Sequence, residues 1–231
     1  MLVINAKTPT FNLPIKKVLP KLFQSFVYKA IDEKQEHDGY KHPNGKLFKS
    51  MNFKIIYKGN DLLIYYTALN KEHEEKVAKK IIYDGLKLGE IHIASVEISF
   101  KRREILENFI RVGGFVVATI KDGKTSKKIS LEPRTEKFQE IVKNHTIQKY
   151  EALFKKPYKE EFYFKTVNQK FYPRIFFAEK LAIRNWYGIY DIKASQDMIN
   201  LILNTGLGAY SMQGCGFLDI IKTINKGKLD G

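Results

Sequence analysis

Phe53-Lys-Ile-Ile-Tyr-Lys-Gly-Asn-Asp-Leu-Leu-Ile-Tyr-Tyr-Thr-Ala68 holds two β-rich runs, Phe53 to Tyr57 and Leu62 to Ala68. Between them, Lys58-Gly59-Asn60-Asp61 has the composition of a hairpin turn. What flanks this hairpin decides the fold. Upstream, Lys17 to Lys34 reads as a helix, with Leu19, Leu22, Phe23, Phe26, Val27, Ala30 and Ile31 spaced three and four apart. Before it, residues 2–6 (Leu-Val-Ile-Asn-Ala) read as an opening strand. Downstream, Asn70 can cap a second helix with Val77, Ala78, Ile81 and Ile82 on one face, ended by Gly85 and Gly89. Glu90 to Phe100 then alternates as a strand. The order is strand, helix, two strands, helix, strand, the βαββαβ ferredoxin-like unit.

The order starts again near Gly113. Phe115 to Ile120 reads as a strand and Thr135 to Phe154 as a helix. Tyr158 to Val167 and Leu181 to Ile192 are strand-like, Ser195 to Asn204 is helical, and Phe217 to Ile224 closes as a strand. Asn168 to Lys180 shows no clear period. The expected fold class is therefore α+β, with two tandem ferredoxin-like domains. Residues 1–105 would carry the first helix and a histidine loop; residues 106–231 would carry a glycine-rich loop. The halves would join around Lys101 to Val112.

Composition narrows the function classes. The chain has 231 residues, 44% hydrophobic, with 16 Phe and 13 Tyr, too apolar and aromatic for a disordered chain. Its single cysteine, Cys215, excludes a disulfide scaffold. No apolar run approaches the ~18 residues of a membrane span, so the expected location is the cytoplasm, away from membranes. The net charge is +15. It is spread along the chain: residues 1–110 hold 19 basic and 13 acidic side chains, residues 111–231 hold 21 and 12. A folded surface this basic points to a polyanionic partner, nucleic acid first. On the first helix, Tyr28 falls on the face opposite the apolar stripe, with Lys17, Lys21 and Gln24.

The most specific local signal is Gly206-Leu-Gly-Ala-Tyr-Ser-Met-Gln-Gly-Cys-Gly216. Glycine lets a backbone turn with positive φ and approach a ligand closely, and successive amides can face phosphate oxygens. Gly206, Gly208, Gly214 and Gly216 are therefore candidate RNA contacts. The loop follows a helix and precedes a strand, which excludes a Rossmann fingerprint, and it has no Gly-Lys-Ser/Thr of a P-loop.

This loop resembles the glycine-rich loop of the RAMP superfamily of CRISPR-associated proteins. Three further stretches resemble its repeat-RNA processing endoribonuclease branch, in order along nearly the whole chain. They are Leu22 to Ile31 followed by His37-Asp38-Gly39-Tyr40 and Phe48-Lys49, residues 143–154 with a Lys-Tyr-x-x-Leu ending, and residues 183–192. One departure is that the family's loop carries a Lys or Arg between its glycine pairs, whereas Ala209 to Gln213 carries no positive charge. The resemblance implies cleavage of CRISPR repeat RNA (pre-crRNA) without a metal or other cofactor. The attack would come from the RNA's own 2′-hydroxyl, leaving a 2′,3′-cyclic phosphate and a 5′-hydroxyl.

That chemistry needs a base, an acid and a cation. Five histidines are available. By position, His145 reads as a packed helix residue, His73 as solvated at a charged helix start, and His92 as core or sheet face. His37 and His42 fall in the polar stretch after the first helix, where catalytic groups are common. His37 also matches the family's position before Gly-Tyr, so it is the expected base or acid, with His42 in reserve. Tyr28 would be the second proton-transfer or orienting group, and Lys46 or Lys49 the cation. Five residues separate His37 from His42, and no third ligand completes a metal site. Lys17, Lys21, Lys124, Lys127, Lys128, Lys180 and Arg184 are candidate phosphate contacts from charge and position. Partners would be CRISPR repeat RNA and other CRISPR effector subunits, with monomer and homodimer both open. The alternative readings are a member that binds repeat RNA without cutting it, and a general RNA-binding protein.

Overall fold

The computed structural model describes residues 1–8, 18–93, 95–123, 128–178 and 181–223. The first half runs β1 (Leu2–Lys7), α1 (Leu19–Ile31), α2 (Lys34–Asp38), the short pair β2 (Tyr40–Lys41) and β3 (Leu47–Phe48), β4 (Met51–Lys58), β5 (Asp61–Ala68) and α3 (Lys71–Asp84). It closes with β6 (Leu86–Leu88), β7 (Ile91–Ile93) and β8 (Val96–Phe100). The second half runs β9 (Phe109–Val116), β10 (Thr119–Lys121), β11 (Lys128–Ser130), α4 (Glu136–Phe154), β12 (Tyr163–Thr166) and β13 (Pro173–Ala178). Then come β14 (Leu181–Lys193), α5 (Gln196–Thr205), a 3₁₀ turn at Ser211–Gln213 and β15 (Leu218–Thr223).

Both halves use one topology. The first sheet has the order β4-β5-β1-β8 and the second β12-β14-β9-β15, with β13 paired to β14. In each, the first strand of the unit lies between the third and the fourth, all antiparallel. This is the tandem ferredoxin-like arrangement that the element order implies.

The helices form where apolar spacing and capping agree. α1 carries Pro20 in its first turn and buries Phe23, Phe26 and Val27. It ends as Asp32 turns into the left-handed region at φ 53°. Asn70 caps α3 by accepting from Glu72 N, Thr135 caps α4 by accepting from Phe138 N, and Ser195 caps α5 by accepting from Met198 N. The first core centres on Phe23, Phe53, Ile64 and Tyr66, with the Phe23 and Phe53 rings edge to face at 5.0 Å. The second centres on Ile110, Phe138, Tyr190 and Ile202, with Tyr190 stacked on Phe164 at 5.2 Å.

Four sequence expectations are corrected. The strand expected over Glu90–Phe100 is two strands: β7 pairs back on β6 around Gly89, at φ 63°, and β8 pairs with β1. Period-two alternation runs through both pieces, so spacing alone hides the break, and Gly89 makes this hairpin rather than ending α3. The strand expected to begin at Phe115 begins at Phe109. Gly113 and Gly114 lie inside it because neighbours pass close: a Cβ on Gly113 would sit 2.2 Å from Tyr187 Oη, and one on Gly114 2.4 Å from Phe217 O. The strand expected over Tyr158–Val167 covers only Tyr163–Thr166, since Tyr158 packs its ring on Tyr150 at 5.0 Å instead. The stretch without period contains β13, whose partner is β14.

The halves are joined by polar contacts, those of Arg103 and Thr67 buried and that of Lys54 exposed. Arg103, in the segment between β8 and β9, donates to Leu203 O at 2.7 Å and to Leu218 O, with Phe217 against its guanidinium. Thr67 Oγ1 donates to Asn204 Oδ1 at 2.8 Å, and Lys54 pairs with Asp219 at 2.7 Å. Met212, from the 3₁₀ turn of the second half, is buried in the core of the first. Among the described residues, no helix is long and apolar enough to cross a membrane.

Candidate active site and its glycine-rich loop

Three side chains from three elements converge beside α1. The Tyr28 and His37 rings meet edge to face at 5.1 Å, and Lys49 Nζ lies 5.2 Å from the Tyr28 ring centre. Tyr28 is on α1, His37 closes α2, and Lys49 follows β3. His37 thus sits in a short helix, not a loop. α2 places it by reversing the chain at Gly39, where φ is 94° and a Cβ would lie 2.9 Å from Phe48 O.

Each group has a distinct environment. Tyr28 is half-buried rather than solvated, since Gln24 and the α1–α2 corner cover its face. Burial raises its pKa, against a hydrogen bond from Gln24 Nε2 at 3.5 Å that lowers it. At neutral pH it therefore keeps its proton. Lys49 donates to Glu36 O at 3.2 Å and to His37 O. An ammonium has three N–H bonds, so one remains for another acceptor. Burial lowers the Lys49 pKa, and the Glu36 and Asp38 charges oppose that shift. His37 is largely exposed, with Asp38 Oδ1 3.4 Å from its Nδ1.

The other expected site residues lie elsewhere. His42 Nε2 is 3.0 Å from Glu151 Oε2, and Lys46 Nζ donates to Gln148 Oε1 at 2.8 Å. Both therefore dock on α4. His73 is buried, not solvated. Its Nε2 is 3.3 Å from Glu33 Oε2 and its Nδ1 is 3.9 Å from Glu36 Oε1. Ligand atoms of Glu33, Glu36 and His73 all lie within 4.8 Å of one another, a donor set that spacing did not reveal. Its carboxylates already have partners: Glu36 accepts from Tyr40 Oη at 2.7 Å and from Ser50 Oγ, and Glu33 from Lys76 at 2.6 Å. His92 is exposed on β7.

The glycine-rich loop packs against the same corner. Gly206, Gly208, Gly214 and Gly216 all have positive φ, from 69° to 82°. Close backbone approach requires three of them. A Cβ would meet Asn52 Nδ2 at 2.0 Å from Gly206, Val117 O at 2.5 Å from Gly208 and Leu207 O at 2.2 Å from Gly216. Many loop amides are turned inward: Leu207 N donates to Gly216 O, Ala209 N to Val117 O, Cys215 N to Tyr210 O and Gly216 N to Phe115 O. Lys128 Nζ reaches Tyr210 Oη at 3.3 Å, which supplies beside the loop the cation its own residues lack. Lys21 and Arg184 are exposed, on α1 and β14. Lys17, Lys124, Lys127 and Lys180 lie outside the described residues. Cys215 is buried, its thiol pushed up to about 12 by burial.

Lys149 is a residue whose placement spacing alone did not show. It is buried on α4 and donates to Thr205 O at 3.2 Å and Gly206 O at 2.7 Å, holding the start of the loop. Burial pushes its pKa down to about 7. One turn earlier, His145 is held at about 3 by burial and by Lys149 and Lys46. An unfolded chain takes up a proton at His145 below about pH 6.5, and the folded chain does not until about 3. Stability is therefore expected to fall as pH drops through that window, by on the order of 3 kcal/mol. Urea melts from pH 7 to 4 check this. A His145→Gln variant should lose most of that slope, and an equal slope in both proteins would refute the assignment.

A family model described as CRISPR associated protein Cas6, C-terminal, matches residues 100–220. Solved structures agree along the whole chain. One described as CRISPR associated protein Cas6 superposes with a TM-score of 0.68 at 18% identity, covering 96% of this chain and 98% of its own. A Cas6-related protein from Pyrococcus furiosus gives 0.69 at 16% identity, covering 96% and 98%. A RAMP protein described as binding different RNA substrates gives 0.67 at 15%, covering 96% and 100%. The comparison with curated proteins gives no match.

Proposed function

The chain belongs to the Cas6 family of CRISPR-associated proteins, and from that premise we propose that it cleaves CRISPR repeat RNA by metal-independent transesterification. The observation that carries this reading is the meeting of Tyr28, His37 and Lys49, three different chemistries at one corner. His37 takes the proton from the 2′-hydroxyl. The exposed imidazole is open to substrate, and its Asp38 neighbour orients it. The oxygen so freed attacks the adjacent phosphorus, and the bond from phosphorus to the 5′ oxygen breaks. Tyr28 is the donor to that leaving oxygen, since burial keeps its hydroxyl protonated. The remaining N–H of Lys49 faces the charge that builds on the phosphoryl oxygens. The products are a 2′,3′-cyclic phosphate and a 5′-hydroxyl.

RNA held along this corner meets Lys128 and Tyr210 at the glycine-rich loop, and the excess charge of +15 strengthens its hold. Two structural neighbours support this: the RAMP protein above, described as binding different RNA substrates, and a Cas6 product complex with a TM-score of 0.64 at 12% identity. The test is cleavage of the host array's repeat RNA in excess EDTA, beside the same RNA with a single 2′-deoxy substitution at the cut nucleotide. Only the unmodified RNA is expected to be cut. Binding without cleavage in either would favour a member that holds repeat RNA without processing it.

A further inference from the structure

Glu36 precedes His37 on α2 and is only 2% exposed. Acidic side chains are rarely buried this fully without a paired cation. Among the described residues, no Lys or Arg forms an ion pair with its carboxylate, and His73 Nδ1 stands 3.9 Å from Oε1. Two hydroxyls hold it instead. Tyr40 Oη donates to Oε1 at 2.7 Å, and Ser50 Oγ donates to Oε2. Both donors lie on the stretch that carries Lys49: Tyr40 opens β2, and Ser50 directly follows Lys49. One carboxylate thus ties α2, with His37, to the start of the β2–β3 hairpin and to the residue just past Lys49. Lys49 Nζ closes the clasp by donating to the carbonyls of Glu36, at 3.2 Å, and His37.

Two hydroxyls could be held equally well by an uncharged Gln, so anchoring alone needs no charge at this position. Burying a charge is costly unless a neighbouring group gains from it. Lys49 is the group that gains: burial lowers its pKa, and the charges of Glu36 and Asp38 work against that shift. The other titratable groups around Lys49 are Tyr28 on α1, His37 on α2, and Lys128, His145 and Lys149 along the groove it lines. We propose that Glu36 is a positioning residue for cleavage: its carboxylate fixes Lys49 against α2 beside His37 and supplies the counter-charge that the Lys49 ammonium faces. The proposal rests on the reading that Lys49 stabilises charge on the phosphoryl group. Glu36 is buried and acts through Lys49, without touching RNA.

Glu36→Gln separates the two parts of this role. It keeps the shape and both hydroxyl contacts, because a hydroxyl accepts as well as donates, and removes only the charge. The pKa of Lys49 then falls further. That of Tyr28 falls too, since burial chiefly raises it and the Glu36 charge raises it further. Both groups act in their protonated forms, so as pH rises the variant loses activity earlier than the wild type.

The experiment measures single-turnover cleavage of the host repeat RNA from about pH 5 to about pH 10 for the wild type, Glu36→Gln and a Tyr40→Phe, Ser50→Ala double variant. Glu36→Gln is expected to bind RNA with unchanged Kd, to cut roughly 10- to 100-fold more slowly at about pH 8, and to lose activity at a lower pH than the wild type. A side chain that only holds the fold would slow cutting alike at every pH. The double variant keeps the charge and frees the hairpin. It should cut more slowly with its basic limb where the wild type has it, and it carries the test if Glu36→Gln does not fold. A second readout needs no cleavage: labelling of Lys49 by an amine-acylating reagent across the same pH range, read by mass spectrometry. The Lys49 titration should move to lower pH in Glu36→Gln. An unmoved titration would overturn the proposal, as would a Glu36→Gln rate equal to wild type at every pH, or a double variant as fast as the wild type. A wild type that cuts no repeat RNA would overturn the functional reading instead, with the labelling still showing whether Glu36 acts on Lys49.

Discussion

Replacing His37 with alanine is expected to slow cleavage of repeat RNA by about 10²–10⁴-fold while leaving its affinity nearly unchanged. On the proposed mechanism the rate falls because the imidazole removes the 2′-hydroxyl proton. Affinity should hold because the proposed phosphate contacts are lysines elsewhere on a chain of net charge +15. Folding should hold too. The side chain is 70% exposed and Asp38, 3.4 Å from its Nδ1, is exposed as well, so stability should change by no more than about 0.5 kcal/mol. Single-turnover rates and filter-binding affinities for both proteins separate these effects. An unchanged rate would refute the role of His37. His42 is a poor substitute candidate, being paired to Glu151 on α4.

Gly216→Ala should be the most damaging of the small substitutions. At φ 76°, an alanine already costs roughly 1–2 kcal/mol. Its Cβ would also stand 2.2 Å from Leu207 O, a backbone atom that cannot swing aside. Relief requires moving Leu207 or Gly216, and with them the bonds Leu207 N to Gly216 O and Gly216 N to Phe115 O. The total is expected to reach about 3–5 kcal/mol, or roughly a 10 °C drop in Tm for a chain of this size. Gly123→Ala is the control, since nothing lies within 4 Å of a Cβ there and no positive φ is required. Thermal melts of the two variants beside wild type decide it. Equal melting temperatures would mean that the loop yields easily and that its glycines serve some purpose other than packing.

The element order was legible because α1 carries an apolar stripe with a proline in its first turn, and α3, α4 and α5 each carry an apolar stripe and a side-chain cap. Asn70, Thr135 and Ser195 all act as caps where the pattern of their helices begins. Strand limits were legible only where a turn signal is unambiguous, as at Gly59-Asn60 between β4 and β5. Periodicity did not show the start of β9 at Phe109, because Gly113 and Gly114 interrupt the apolar pattern while serving close packing inside the strand. At the site, residue types and the family pattern pointed to Tyr28, His37 and Lys49, yet they did not separate Lys49 from Lys46. That choice depends on α4, a hundred residues downstream, which takes Lys46 away through Gln148. The same long-range packing hid the burial of His73 and the loop-holding role of Lys149. Each is set by an element from another part of the chain, and periodicity reads only its own segment.

On the proposed mechanism the RNA's own 2′-hydroxyl does the cutting, with Tyr28, His37 and Lys49 moving protons and charge. Mapping the ends of repeat RNA cut in excess EDTA tests it most directly. One cut site is expected, with a 2′,3′-cyclic phosphate on the upstream product, a 5′-hydroxyl on the downstream product, and no cut when the 2′-hydroxyl at that nucleotide is replaced by hydrogen. Cleavage of the 2′-deoxy RNA, or products ending in a 3′-hydroxyl and a 5′-phosphate, would contradict it.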